Sequence, residues 1–149
     1  MNDTPSEIVF WVRWLKSVII PCLFIVIAGI VYINSLSNSF QYDDRFFITE
    51  NYNIRLIKNI PHFFIEPKTL FSDSRLSGHY RPVVVTSYAI NYALGGLNPA
   101  GYRLVNLGFH LGSAFLVFLI LAVMLGGKER VSFSALAGGL IFLVHPFNS

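Results

Sequence analysis

A run of 24 residues without a formal charge, from Leu104 to Gly127, is the feature that most restricts how this chain can fold. About 20 predominantly apolar residues are enough for a helix to cross a bilayer, and this run contains the segment AFLVFLILAVML. The composition agrees, because only 13% of the residues are charged, whereas an average soluble domain has about 25%. We therefore predict an all-α integral membrane protein with a transmembrane helix at residues 104–127.

Two further uncharged segments predict membrane helices. The first is residues 17–36, which follow a short amino-terminal segment, residues 1–16, that ends in basic side chains. A cleavable signal peptide is the competing interpretation, because it also has a basic flank, an apolar centre and small residues after it. We favour the membrane helix, since the later apolar segments require a membrane in any case. The second is residues 131–149, whose Ala-Gly-Gly centre predicts close packing against another helix.

Basic residues in short flanking segments predict the orientation in the membrane. Residues 1–16 and the loop 128–130 both carry basic side chains and are expected in the cytoplasm. About three transmembrane helices then place residues 37–101 outside. Within this loop, residues 82–95 begin with proline and end at a glycine pair, which is typical of a helix. Its apolar part is about 18 Å long, too short to span, so we predict one or two helices in the loop that lie in the membrane interface.

The extracytoplasmic loop contains two adjacent carboxylates, Asp43 and Asp44, shortly after the first membrane helix. From the residues alone, they are either part of a solvated turn or the acid/base groups of an enzyme that works at the membrane surface. A third interpretation is that they cap a helix that starts near Phe46, where aspartate is favoured. In an extended segment adjacent side chains point in opposite directions, so only one of the two is expected to reach a substrate.

The predicted topology gathers further polar residues at the same non-cytoplasmic surface, namely Arg81, Asn106, His110 and His145. Arg81 has the alternative of extending to the interface to keep its charge in water. Asn106 and His110 lie just inside a predicted membrane helix, where polar side chains are rare and face a cavity or another helix. His145 either lines the same site or, with the proline after it, ends the helix.

Some classes of function are excluded by composition. The net charge of +3 is spread along the chain without a Lys/Arg block, so nucleic acid is not an expected partner. The four histidines do not have the spacing of a zinc site, so no protein metal site is predicted. The single cysteine, Cys22, cannot form an internal disulfide and is expected to be a packing residue.

Three segments in a fixed order resemble one family. FQYDDRFFITENYNI is followed by HYRPVVVTSYAINYALGGLNPAGYRLVNLGFHL and then by FLVHP. The set resembles the amino-terminal part of membrane O-mannosyltransferases that carry tetratricopeptide repeats, and their bacterial relatives. These enzymes belong to the GT-C class of glycosyltransferases, which use sugars linked to a polyprenyl phosphate. The resemblance implies that this chain is a fragment of a larger GT-C fold, with lipid bilayer, sugar donor and acceptor as its partners.

The resemblance also implies a reaction and roles for the candidate residues. A hexose, mannose-like, passes from a polyprenyl or dolichyl phosphate to a protein or glycan hydroxyl with inversion. Asp43 corresponds to the base that takes the hydroxyl proton, and Asp44 would orient the loop or contact the donor sugar. Arg81, and after it Arg103, would bind the donor phosphate. Candidate residues lining the site are His79, Asn106, His110 and His145.

The sequence leaves alternatives for the cofactor, the function and the location. A divalent ion that bridges a carboxylate and the phosphate has no positive support in the sequence, and no other cofactor is expected. A non-catalytic membrane scaffold or subunit, or an inactive fragment of such a transferase, is the alternative function. For location, we favour a multi-pass protein of the bacterial inner membrane over the endoplasmic reticulum.

Overall fold

The computed structural model describes residues 5–42, 44–70, 80–125 and 133–145, with side chains from Val18 onward. The predicted loop 128–130 and two candidate site residues, Asp43 and His79, lie outside these ranges. The described residues contain helices and turns but no strand. Their five α-helices are α1 Pro5–Tyr32, α2 Ile60–Ile65, α3 Pro82–Gly95, α4 Pro99–Leu125 and α5 Phe133–Val144.

The chain divides into two compact units. The first, here called the helix unit, comprises Met1–Ile33 and Leu107–Ser149. The second, here called the loop unit, comprises Asn34–Asn106 and therefore contains all of the predicted extracytoplasmic loop.

Helix α1 begins at Pro5, well before the predicted boundary at residue 17. Proline is favoured in the first turn of a helix, and no glycine or proline interrupts the chain from there to Pro21. Pro21 lies inside the helix, as membrane helices tolerate. The helix continues into a 3₁₀ turn at Ile33–Ser37, and Val18–Ser37 is long and apolar enough to cross a membrane.

Helix α4 is the other segment that is long and apolar enough to cross a membrane, and it begins at Pro99 rather than at residue 104. The side chain of Asn98 explains the earlier start, because its Oδ1 accepts a hydrogen bond of 3.1 Å from the N–H of Ala100. An asparagine cap followed by proline is a strong start signal for a helix. The same Asn-Pro pair separates α4 from α3, which ends at Gly95.

Helix α5 is too short in the described residues to span a bilayer. Its 12 residues reach about 18 Å. Among the described residues, two helices meet the length and composition of a membrane span, and α5 is only a shorter apolar helix. The ends of the predicted third span, on both sides of α5, lie outside the described residues, so this span stays a prediction.

The helix unit packs around small residues. Its buried core consists of Phe24, Ala28, Ala114, Phe118, Ala135 and Leu143. The ring of Phe24 contacts the ring of Phe118 at a centroid distance of 5.9 Å. Gly139 of α5 lies against both residues, because a Cβ on it would be 2.9 Å from Phe24 Cζ and 2.7 Å from Phe118 Cβ. The predicted close packing at the glycine pair is therefore present in the structure.

The loop unit has a hydrophobic core of its own, formed by Phe47, Ile48, Ile54, Phe63, Leu70, Val85, Ala89 and Tyr102. Helix α3 contributes Val85 and Ala89, which are one turn apart and face the same way. The opposite side of α3 is apolar too, yet Val83 and Leu94 are 67% and 84% exposed. Gly96 ends the helix with a φ of +61°, a conformation that glycine adopts without strain.

Candidate functional site

Asp44, the described residue of the acidic pair, lies in a turn of the loop unit, here called the acidic turn, in which its N–H donates to the carbonyl of Gln41 at 3.0 Å. Asp43 is outside the described residues, whereas Asp44 is half-buried and its Oδ2 accepts a hydrogen bond of 3.2 Å from the N–H of Gln41. Asp44 directly precedes a helical turn at Arg45–Thr49 but caps none of its N–H groups. The structure therefore does not support the interpretation of Asp44 as a helix cap. Its carboxylate instead stabilises the turn that precedes the helical turn at Arg45–Thr49.

The backbone immediately before the pair is unusual. Tyr42 has a φ of +45°, in the left-handed region that side chains other than glycine rarely adopt. Its own side chain is 90% exposed, so no burial of the ring offsets this conformation. Such backbone conformations occur most often at sites of function, where the surrounding structure maintains them.

After the acidic turn, three asparagines fix the loop. Asn51 is 1% exposed, and its Nδ2 donates to the carbonyl of Leu70 while its Oδ1 accepts from the N–H of Asn53. Asn53 in turn donates to the carbonyl of Thr69. Asn59 donates to the carbonyl of Asn53 at 2.9 Å. A buried amide with both ends bonded specifies one arrangement of the backbone, so this network holds residues 51–70 together.

The two arginines that were predicted to bind phosphate differ in what they contact. Arg103 donates from Nε to the carbonyl of Asn38 at 3.1 Å and from Nη2 to the carbonyl of Ser39 at 2.7 Å. It therefore anchors the segment that leads to the acidic turn, and two of its donors are committed to the backbone. Arg81 is exposed at the first turn of α3. In the described part of the loop unit, no ion pair joins Asp44 to either arginine.

His110 has defined partners in the helix unit. Its Nε2 is 2.9 Å from the carbonyl oxygen of Leu143, and the hydroxyl of Tyr32 donates to the same oxygen at 2.7 Å. Leu143 lies in the last turn of α5, where carbonyl groups lack a partner within the helix. The contact makes Nε2 the protonated nitrogen of His110. Three helices thus meet at one carbonyl, which satisfies the end of α5.

The remaining predicted residues are placed as follows. Asn106 is exposed on α4. His145 is exposed just after α5, and its N–H donates to the carbonyl of Ile141 at 3.0 Å. Asn106 belongs to the loop unit and His145 to the helix unit. Whether either lines a substrate site stays a prediction.

Arg55 is a polar residue that sequence reasoning missed. Its guanidinium lies 4.2 Å from the ring centroid of Tyr52 and 5.8 Å from that of Tyr92. Tyr52 is three residues earlier in the same 3₁₀ turn, so the sequence does contain that half of the signal. Tyr92 comes from α3, and only the folded chain brings it to the arginine.

No group of three His, Cys, Asp or Glu side chains that could hold a metal ion occurs in the portions of the chain that the structure describes. The divalent ion that would bridge a carboxylate and the phosphate therefore remains a hypothesis without support from these residues.

Among known proteins, relatives of this chain are found at the level of individual sequences. No model of a protein family matches the chain. No solved structure matches it either. Protein O-mannosyl-transferase Tmtc1 of Drosophila melanogaster is 35% identical over 122 residues, which cover 80% of this chain. The chain resembles the TMTC protein O-mannosyl-transferases.

Two human relatives show the same resemblance. Protein O-mannosyl-transferase TMTC2 of Homo sapiens is 32% identical over 121 residues, and TMTC4 of Homo sapiens is 28% identical over 138 residues. The chain spans only 14% of the length of Tmtc1 and of TMTC2, and 18% of TMTC4. The predicted resemblance to O-mannosyltransferases is confirmed. These relatives are animal proteins, which does not fit the preference for a bacterial inner membrane.

Proposed function

We propose that this chain is part of a membrane-bound protein O-mannosyl-transferase of the GT-C class, which takes a hexose from a polyprenyl or dolichyl phosphate. The observation that carries the proposal is the similarity to Tmtc1 over 80% of the chain. A match of that extent includes the middle of the chain, and with it the acidic turn, the start of α3 and most of α4. The two helices of sufficient length and apolarity support a membrane protein.

Transfer to a hydroxyl with inversion requires a base close to the acceptor, because the attacking oxygen must lose its proton. The leaving phosphate is a stable anion and requires no general acid. In the proposal, Asp43 is the base, and Asp44 keeps the turn in place through its bond to the N–H of Gln41. The strained backbone at Tyr42 supports a functional turn at this position.

The donor requires both a cation for its phosphate and an apolar environment for its lipid tail. Arg81 is the proposed phosphate ligand because it is exposed, whereas Arg103 uses two donors on backbone carbonyls. Next to Arg81, α3 presents an exposed apolar side that includes Val83 and Leu94. A helix with such a side suits the membrane interface, where it would contact lipid. His79, Asn106 and His145 remain proposed lining residues.

His110 has a more specific proposed role than lining the site. Together with Tyr32, it satisfies the last turn of α5, which leads to His145. We propose that His110 holds together α1, α4 and α5, the three helices of the helix unit.

The second candidate function is a non-catalytic membrane subunit. It is kept because the chain spans 14% of Tmtc1, whose name describes the activity of a much longer protein. The orientation also belongs to the proposal: residues 1–16 and 128–130 in the cytoplasm, and residues 37–101 outside.

The test is transfer of labelled mannose from dolichyl-phosphate mannose, with membranes that contain the longest reading frame carrying this chain. Asp43→Asn should reduce transfer by about 100-fold or more, the range for losing a general base. Asp44→Asn keeps an oxygen for the N–H of Gln41 and should reduce transfer much less. Glu66→Gln is the control, since Glu66 is exposed and contacts His62.

Two outcomes would contradict the proposal, provided that membrane insertion is unchanged. Transfer that is unaffected by both aspartate substitutions would exclude the acidic pair as the source of the base. A complete absence of transfer by correctly inserted wild-type protein would favour the non-catalytic subunit.

A further inference from the structure

Arg55 lies close to two aromatic rings of the loop unit. The 3₁₀ turn at Tyr52–Arg55 places positions three residues apart in register, which brings the ring of Tyr52 to 4.2 Å from the guanidinium carbon. The ring centroid of Tyr92, in α3, lies 5.8 Å from the same carbon. Rings that contact the faces of a guanidinium leave its edges, which carry the N–H donors, available for other partners.

The hydrogen bonds of Arg55 are incomplete. Its Nη2 contacts the carbonyl of Thr49 at 3.4 Å, a long hydrogen bond. Its Nε is buried and has no hydrogen-bond partner in the described part of the chain. A buried donor on a charged group is costly to leave unpaired, so an unsatisfied one indicates a missing partner.

That partner is not a described carboxylate. Three carboxylates of the loop unit lie in the described residues, and each contacts another group: Asp44 the N–H of Gln41, Glu50 the side chain of Arg45, and Glu66 the side chain of His62. The charge of Arg55 is therefore not neutralised by any of these acids. A half-buried cation that none of these acids neutralises, and whose Nε–H has no acceptor in the described residues, is suited to receive an anion.

We propose that Arg55 binds a phosphate ester carried by a membrane lipid. The planar guanidinium matches two phosphate oxygens, and its position over the ring of Tyr52 limits the orientations it can adopt. A lipid fits better than a soluble anion because the two residues that directly follow Arg55, Leu56 and Ile57, are apolar and 49% and 54% exposed. The phosphate belongs either to a phospholipid headgroup or to a polyprenyl phosphate; the second identification rests on the proposed function.

The test measures binding rather than transfer, so that its failure leaves the transferase proposal to be judged by the aspartate variants. The full chain is placed in phosphatidylcholine nanodiscs and titrated with a short polyprenyl monophosphate, with neutral polyprenol as the blank. Arg55→Gln should weaken binding by about 10-fold or more, as expected for a charge-assisted hydrogen bond. Arg55→Lys keeps the charge but not the planar fork and should be intermediate.

Arg45→Gln is the matched control. Arg45 is in the same unit, but its side chain is 70% exposed and pairs with Glu50. The site requires that Arg45→Gln changes binding by less than about 2-fold, since exposed ion pairs contribute little. Equal losses for Arg45→Gln and Arg55→Gln would mean general attraction between charges and would overturn the site, as would unchanged binding by Arg55→Gln.

A second measurement observes binding to the wild-type protein directly and uses a variant only to assign one resonance. With ¹⁵N-arginine labelling, the Nε–H resonance that disappears in Arg55→Lys is assigned to Arg55. Addition of polyprenyl monophosphate should shift this resonance, and an unmoved resonance at saturation would also overturn the proposal. A shift with phosphatidylglycerol as well would identify the phosphate as a headgroup, whereas a shift with polyprenyl phosphate alone would identify the lipid-linked donor.

Discussion

Gly139 is the position at which the packing of the helix unit is most sensitive to one added methyl group. A Cβ there would lie 2.7 Å from Phe118 Cβ, 2.9 Å from Phe24 Cζ and 3.2 Å from Phe118 Cα. Real Cβ atoms do not approach other heavy atoms within 3.0 Å. The Phe118 contacts involve α4 itself, and the Phe24 ring is buried, so neither neighbour can simply rotate away. Gly139→Ala must therefore move α5 from α4.

The magnitude follows from comparison with a glycine that has space. Gly112, on α4, has no heavy atom within 4 Å of its added Cβ. Both substitutions gain the helix propensity of alanine, up to about 1 kcal/mol. Only Gly139→Ala adds the overpacking term, about 1–3 kcal/mol. We therefore expect Gly139→Ala to be less stable than Gly112→Ala by about 1–3 kcal/mol. Gly138→Ala should fall between them, because its methyl meets only the side chain of Leu121.

The measurement is the free energy of unfolding in mixed micelles, from SDS titration with pulse proteolysis of the unfolded fraction. Equal stability of Gly139→Ala and Gly112→Ala would refute the close approach of α5 to α4 and, with it, the packing of the helix unit. A loss for Gly138→Ala that exceeds the loss for Gly139→Ala would show that the wrong glycine was assigned to the helix contact.

Three other predictions concern the polar contacts and the exposed side of α3. Asn51→Asp removes the donor to the carbonyl of Leu70 and should destabilise the loop unit by about 1–3 kcal/mol, measured as faster amide hydrogen exchange at residues 51–70. Unchanged exchange would mean that the hydrogen bonds of Asn51 do not stabilise the loop unit. Tyr32→Phe should lower the free energy of unfolding by about 0.5–1.5 kcal/mol in the same SDS assay. A double-mutant cycle with His110→Ala should show coupling between the two residues, and additive effects would contradict the carbonyl that they share. A spin label at Leu94, on a chain with Cys22 replaced by serine, should be more accessible to lipid-soluble oxygen than to a water-soluble nickel complex; the reverse order would place this side of α3 in water.

The positions of the apolar helices could be predicted because the signals for them are local. The uncharged run at 104–127 overlaps α4, and the proline and glycine pattern at 82–95 coincides with α3. Boundaries were less accurate: α4 starts at Pro99 rather than at residue 104, because Asn98 caps it. Helix α1 starts at Pro5, since an apolar pattern indicates where lipid begins rather than where the helix begins.

By itself, the sequence determined the helical class, the membrane character and the resemblance to O-mannosyltransferases. Composition, periodicity and motif order are properties of the linear sequence and do not depend on tertiary contacts. Only the tertiary structure decided that Arg103 anchors the backbone, that His110 meets the last turn of α5, and that Arg55 is placed beside Tyr92. These partners lie between 33 and 65 residues apart along the chain. The role of a polar side chain depends on what packing brings next to it, and no local pattern encodes that neighbour.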